Sequence, residues 1–189
     1  MDAQAQQLLD FWLDEVGEEG WYRQDEALDA TIRERWMGAW EVARDGGLRS
    51  WVIHPGSCLA LVILLDQFPR NMFRGDARSF VSDRVARITA NAAIQRGIDK
   101  RVELPARQFF YLPMMHSELP VHQDRSVRLF LINFGREDEH LRHARAHRDI
   151  IRRFGRFPYR NAALGRASTP EEEAFLAEGG YMAALEAVA

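Results

Sequence analysis

Two stretches of the chain gather residue types that can hold an anion. LLDQFPRNMFRG, residues 64–75, ends an apolar run at Asp66, passes through Phe68-Pro69 and delivers Arg70, Asn71 and Arg74. FGRFPYRNAALGR, residues 154–166, repeats that order with Arg156, Phe157-Pro158, Arg160 and Asn161. Proline disfavours helical geometry in the residue before it, so each Phe-Pro pair predicts the end of a helix. An asparagine just beyond is a good cap for the next helical turn. A new helical start leaves N–H groups free at the positive end of the dipole, and a neighbouring guanidinium adds a two-pronged clamp. Arg70, Asn71, Arg74, Arg156, Arg160 and Asn161 are therefore the expected contacts for an anionic small molecule or a carboxylate-bearing peptide. The competing use of the same arginines is a set of buried ion pairs with Asp66, Glu118 or Asp149. That the pattern occurs twice suggests two corners facing one polar site.

A second set could move protons. His116 and Glu118 lie together in YLPMMHSE, and a histidine beside a carboxylate can do acid–base work. Two residues apart, they diverge on a helix and converge only in a turn. The alternative is a helix-end turn with a locally bonded histidine. Asp66 and His147 complete the candidate acid–base group. No nucleophile elbow, phosphate loop or metal-ligand motif points to a particular reaction. Placed at 100° per residue, REDEHLRHARAHRDIIRRF puts Arg142, Arg145, Arg148, Arg152, Arg153 and Asp149 on one solvated face. His140, His143 and His147 fall opposite, among apolar residues. The i,i+4 spacing of His143 and His147 would let them share an ion, with His116, Glu118 or Asp66 as third ligand. The HExxH glutamate is missing, because residue 144 is alanine. Neither a metal nor any other cofactor is predicted.

The elements that must position these side chains read as helices throughout. Leu8, Leu9, Trp12 and Val16 make one stripe. Leu28, Ile32, Trp36, Ala39, Trp40 and Ala43 make another, ended by Gly46-Gly47. Residues 57–67 are apolar on all sides, which predicts a central, surrounded helix. The helix expected over residues 76–96 has Val81, Val85, Ile88 and Ala92 on one face and the small residues Ala86, Ala90, Ala93 and Gly97 on another. That pattern predicts contacts on both sides, as in layered helical hairpins. Short helical pieces are expected at Pro105 and Pro113. Val127, Phe130, Leu131 and Phe134 mark a further helix, and residues 137–154 a long one. Thr169-Pro170-Glu171-Glu172 is a capping box with proline at the first helical position. It opens a helix through Phe175 and Leu176, and a short helix follows at 181–187. No segment alternates as a strand should, and no low-complexity linker divides residues 1–189. The expectation is one all-α domain of stacked antiparallel helix hairpins.

Composition bounds the rest. Of 189 residues, 47% are apolar and 28% charged, as in ordinary globular proteins. The net charge of −3 hides an acidic start, with nine acids and one base in residues 1–30, and an acidic end, with five acids and no base in residues 167–189. The middle is basic, so the ends fold back over it or it holds an anion. Lacking a domain-wide basic excess or a recognisable module, the chain is not expected to bind nucleic acid. The longest apolar run, residues 58–65, is too short to span a bilayer, and no signal-peptide pattern opens the sequence. A lone cysteine, Cys58, fits a reducing compartment, and the cytoplasm is the expected location.

LLDQFPRNMFRGDARSF, YLPMMHSE, HRDIIRRFGRFPYRN and LGRASTPEEEAFL together resemble the domain-of-unknown-function 924 family. The resemblance runs from the N-terminal tryptophan-bearing helices almost to the C-terminus. It implies an all-helical array similar to tetratricopeptide folds, and it implies no catalytic residue. Two function classes stay open on the residues: a binding module built on the arginines, or an enzyme using Asp66, His116, Glu118 and His147. A third is a domain whose motifs lock the fold while its surface makes contacts.

Overall fold

The apolar run becomes α4, Pro55–Asp66, in which every residue from Ser57 to Asp66 is buried. Proline opens the helix, and the His54 ring accepts the Gly56 N–H at 3.2 Å. A helix with no polar face can be stable only if neighbours cover all of it. In the computed structural model, which describes residues 1–188, α4 packs against α1, α3 and α6. Among the described residues there are helices and turns but no strand.

The chain divides into two units. One comprises Met1–Arg74 with Arg78–Phe110, and the other Gly75–Ala77 with the chain from Tyr111 onward. The first holds α1 (Ala3–Leu9), α2 (Gly17–Gly20), α3 (Glu26–Arg44), α4, α5 (Phe68–Met72) and α6 (Asp83–Gln95). Asp2 and Asp25 cap α1 and α3 by accepting backbone N–H groups. Helix α1 runs on into a π-helical turn, Asp10–Val16, that stops at Gly17. Phe68 of the first corner sits at the middle of an aromatic cluster. Its ring centroid lies 5.3 Å from Trp12, 6.0 Å from Trp36 and 6.3 Å from Phe11. All five tryptophans of the protein, Trp12, Trp21, Trp36, Trp40 and Trp51, belong to this unit.

Helix α6 differs from expectation. A 3₁₀ turn, Ala77–Phe80, comes first and the helix begins at Asp83. Only its alanine face, Ala86, Ala90 and Ala93, is buried. Small side chains let α6 approach α4 closely, and one such face already satisfies the helix within its unit. Of the residues expected on the larger face, Val81 lies in the turn before the helix and is 54% exposed, and Ile88 is 58% exposed.

The second unit holds α7 (Leu112–Met115), α8 (Pro120–Phe134), α9 (Glu139–Phe154), α10 (Pro170–Ala177) and α11 (Gly180–Ala187). Helices α8 and α9 pack as a hairpin across a short connection, with Asp138 accepting the His140 N–H to cap α9. Gly155, in the left-handed region at φ +71°, ends α9 and turns the chain into the second corner. The predicted capping box at Thr169 and Glu172 is present. Helix α11 packs on α9. Ile150, Ile151, Phe157 and Phe175 form the core there, with Phe154, Tyr181 and Ala184 against it.

Candidate functional site

The two corners share one local design. In the first, α3 supplies Asp29, which is buried. Asn71, on α5, donates its Nδ2–H to Asp29 Oδ1 at 2.8 Å, and Arg74 donates to both Asp29 oxygens, the NH2 bond being 2.9 Å. Arg70 reaches Asp83 Oδ1 at 3.0 Å, donates to the Asp66 carbonyl and lies 3.6 Å from Asp66 Oδ1. The Asp66 side chain is buried, and its Oδ2 accepts from Gln67 Nε2 at 2.5 Å.

In the second corner, α10 supplies Glu172. Arg156 donates to its two oxygens at 2.6 and 2.7 Å, and Asn161 donates to Oε2 at 3.2 Å. Glu172 Oε2 also accepts the Thr169 N–H at 2.8 Å, so one carboxylate both caps α10 and anchors the corner. The Arg156 bridge, backed by Thr169 and Asn161, overrides the opposing effect of desolvation and holds the Glu172 carboxyl at about 2. Arg166 grips Glu118 with two N–H groups at 2.8 and 2.9 Å and donates to Asn161 Oδ1 at 3.0 Å. The Phe157 N–H adds a bond to Glu118 at 2.8 Å. Desolvation pushes the Glu118 carboxyl up, but Arg166 and Phe157 outweigh it and the net shift is downward. Glu118, Arg166, Asn161, Glu172 and Arg156 thus form one continuous chain of polar contacts.

The asparagines therefore do a different job from the one read in the sequence. Asn71 lies inside α5 and Asn161 closes a 3₁₀ turn, Pro158–Arg160. Each side chain serves a carboxylate from another helix. The Phe-Pro geometry also differs between corners. Phe157 is extended, as proline demands of its predecessor, whereas Phe68 is already the first residue of α5. Asp66 and Glu118 take arginines as the ion-pair reading proposed. Asp149 instead lies beside Arg148 and Arg152 on its own helix. Asp29 and Asp83 carried no signal in the sequence. Glu172 was marked only as a cap.

Arg160 stands beside this chain of contacts. It is 8% exposed, and its guanidinium lies 4.4 Å from the centroid of the Phe157 ring. His147 meets Phe157 edge-on at 5.4 Å, Tyr181 at 4.9 Å and His116 at 6.4 Å. His147 Nδ1 donates to the His143 carbonyl at 2.9 Å, which leaves Nε2 with the lone pair in the neutral ring. Burial first, and then the nearby His116 and Arg160, push the His147 pKa down to about 3. His143 is lowered by burial too, and its Nδ1 bonds the Tyr181 hydroxyl. His140 stacks on Phe130 and pairs with Asp138. Of the acid–base candidates, His116, Glu118 and His147 belong to the second unit and Asp66 to the first. Among the described residues no three histidine, cysteine or acidic side chains gather as a metal-binding group.

The sequence model of the family described as "Bacterial protein of unknown function (DUF924)" matches residues 8–180, a span that includes both corners. This chain belongs to the DUF924 family. A solved structure of another protein of unknown function, ATU0120 from Agrobacterium tumefaciens, superimposes on this DUF924 chain with a TM-score of 0.89. The two are 43% identical, and the match covers 93% of this chain and 98% of that one. No curated protein matches the chain. No described helix of this DUF924 protein is long and apolar enough to cross a membrane.

Proposed function

We propose that this DUF924 protein binds an anion, borne by a small molecule or by a peptide carboxylate, at its second corner. Arg160 is the recognising side chain, and His116 and His147 flank it. The observation that carries this reading is the guanidinium of Arg160, held over Phe157 with 8% exposure. A planar fork fixed by ring stacking loses little freedom when it grips an oxyanion. Arg160 shares the ionic surroundings of Glu118, and its neighbours Arg156, Asn161 and Arg166 are each bonded to Glu118 or Glu172. In this reading those side chains, like Arg70, Asn71 and Arg74 in the first corner, form the frame rather than the ligand contacts. Burial is the main cause that depresses His147, and a bound anion would offset the smaller contribution of His116 and Arg160.

An enzymatic reading has one observation in its favour, the lone pair that the Nδ1 bond leaves on Nε2 of the neutral His147 ring. With a pKa of about 3 that nitrogen is a weak base at neutral pH, and Glu118 is held ionised by Arg166. Binding is therefore the better-supported function. The experiment is a thermal-shift series at constant ionic strength, comparing phosphate, sulfate, carboxylic acids and short peptides with free or amidated C-termini. Anions should raise Tm more than neutral analogues. Arg160→Ala should abolish the difference, and Arg160→Lys should restore little of it. An anion-dependent rise that survives Arg160→Ala would defeat the assignment.

A further inference from the structure

A cleft of about 480 Å³ lies within the first unit, between the end of α1, the start of α4 and the segment that follows α6. Leu9 and Leu59, both buried, and Leu104, 47% exposed, give it an apolar lining. Its polar members are His54, Arg101 and Glu103. An apolar hollow with a few polar groups that fix orientation is the usual make-up of a small-molecule site.

These charges are not spent as those of the first corner are. There Arg70 and Arg74 pair with Asp83 and Asp29. Among the described residues neither Arg101 nor Glu103 enters an ion pair, with each other or with a third group. Val102 between them is extended, at φ −111° and ψ 131°. That conformation sets the Cα atoms of its two neighbours about 6–7 Å apart. His54 is oriented too. Its Nδ1 accepts the Gly56 N–H at 3.2 Å, so in the neutral ring Nε2 carries the proton and can donate it to a hydrogen bond. A cation, an anion and a donor therefore border one apolar cleft.

We propose that this cleft binds a free α-amino acid with a large apolar side chain. Arg101 grips the carboxylate with two N–H groups, His54 Nε2–H adds a third bond, and Glu103 holds the ammonium. Both charged groups of an α-amino acid spring from one carbon, so a single small head meets both members of the Arg101–Glu103 pair. The side chain lies among Leu9, Leu59 and Leu104 and takes Leu104 out of water. A plain carboxylic acid would leave Glu103 opposing it, and a plain amine would leave Arg101 doing so. The site is separate from Arg160, which belongs to the second unit.

Isothermal titration calorimetry on the full chain tests this with L-leucine and L-phenylalanine as probes. Both should bind saturably. Glycine, which lacks the apolar side chain, N-acetyl-leucine, which lacks the ammonium, and leucinamide, which lacks the carboxylate, should each bind at least about tenfold more weakly. Arg101→Ala should weaken leucine by a similar factor. Glu103→Gln should weaken leucine and narrow its advantage over N-acetyl-leucine. Arg160→Ala should leave the titration unchanged. The proposal is overturned if the wild type binds neither amino acid. It is equally overturned if N-acetyl-leucine or leucinamide binds as well as leucine, if both Arg101→Ala and Glu103→Gln titrate like the wild type, or if Arg160→Ala abolishes the binding.

Discussion

Glu172 and Arg156 meet in a two-pronged bridge, with Nε and NH2 each reaching a separate carboxylate oxygen. The same carboxylate completes the capping box of α10. The start of a helix and the closure of a loop sixteen residues earlier in the chain thus rest on one side chain. Thr169→Ala removes only the threonine half of the cap and should lower stability by about 0.5–2 kcal/mol. Glu172→Gln should lower the urea midpoint further, because a neutral amide loses the charge that holds Arg156 and must present a donor either to the Arg156 Nε–H at Oε1 or to the three donors at Oε2. Equal midpoints for the two variants would show that the bridge adds nothing to the cap.

Two pH windows should be separable. The folded His147 has a pKa of about 3 against an ordinary 6.5. A group whose pKa falls on folding contributes stability that is present above the unfolded value and lost as pH drops towards the folded one. For His147 the loss should therefore begin below pH 6.5. Glu172, at about 2 against 4.5, begins its loss only below 4.5. In urea titrations across pH, His147→Phe should flatten the upper window while leaving the lower one intact. A slope between pH 7 and 5 unchanged by that substitution would mean that His147 is not the group responsible. His143, lowered in the same direction, accounts for the residual slope.

The first corner makes its own prediction, because Asn71 and Arg74 converge on Asp29. In a double-mutant cycle, Asn71→Ala and Arg74→Ala should couple by more than about 0.5 kcal/mol, beyond the limit for independent sites. Chemical denaturation of the four proteins measures the coupling. Additive effects would reduce the corner to two unrelated hydrogen bonds.

Helix α6 offers a contrast between its faces. Ala90 is fully buried, so Ala90→Leu should destabilise by about 1–3 kcal/mol through overpacking. Ile88→Gln, in dilute solution, should change stability by no more than about 0.5 kcal/mol. Comparable losses from the two substitutions would contradict the assignment of buried and open faces.

The helical content was legible because the apolar periods were strong. Helix α4, with no polar face, could only be central, and the capping box fixed the start of α10. What the sequence could not convey was which carboxylate each arginine would meet. Asp29 lies on α3 among other acids, and nothing in its neighbours marks it as the one that turns inward. Asn71 and Asn161 looked like caps because asparagine before a turn usually is one. A carboxylate brought in from another helix competes for the same side-chain N–H groups, and local sequence is silent about it. Helix α6 was misread for a related reason. Periodicity reports how many apolar faces a helix has, but not whether its own chain covers them. The duplicated corner needs no single shared ligand to explain it, since each copy locks a helix end to a buried acid within its own unit.

The confinement of every tryptophan to the first unit makes the protein's intrinsic emission a reporter on one part of the chain. Excitation at the red edge of the absorption band will follow the environment of Trp12, Trp36 and the rings around Phe68, and will be blind to any direct change around α9 and α11. Tyr111, Tyr159 and Tyr181 lie in the second unit, and once Tyr22, the tyrosine of the first unit, is replaced by phenylalanine their emission can be separated by its shorter wavelength. A denaturation experiment recorded in both channels therefore yields two curves from an unlabelled sample. Whether those curves coincide is a direct measure of the cooperativity between the two halves of the chain.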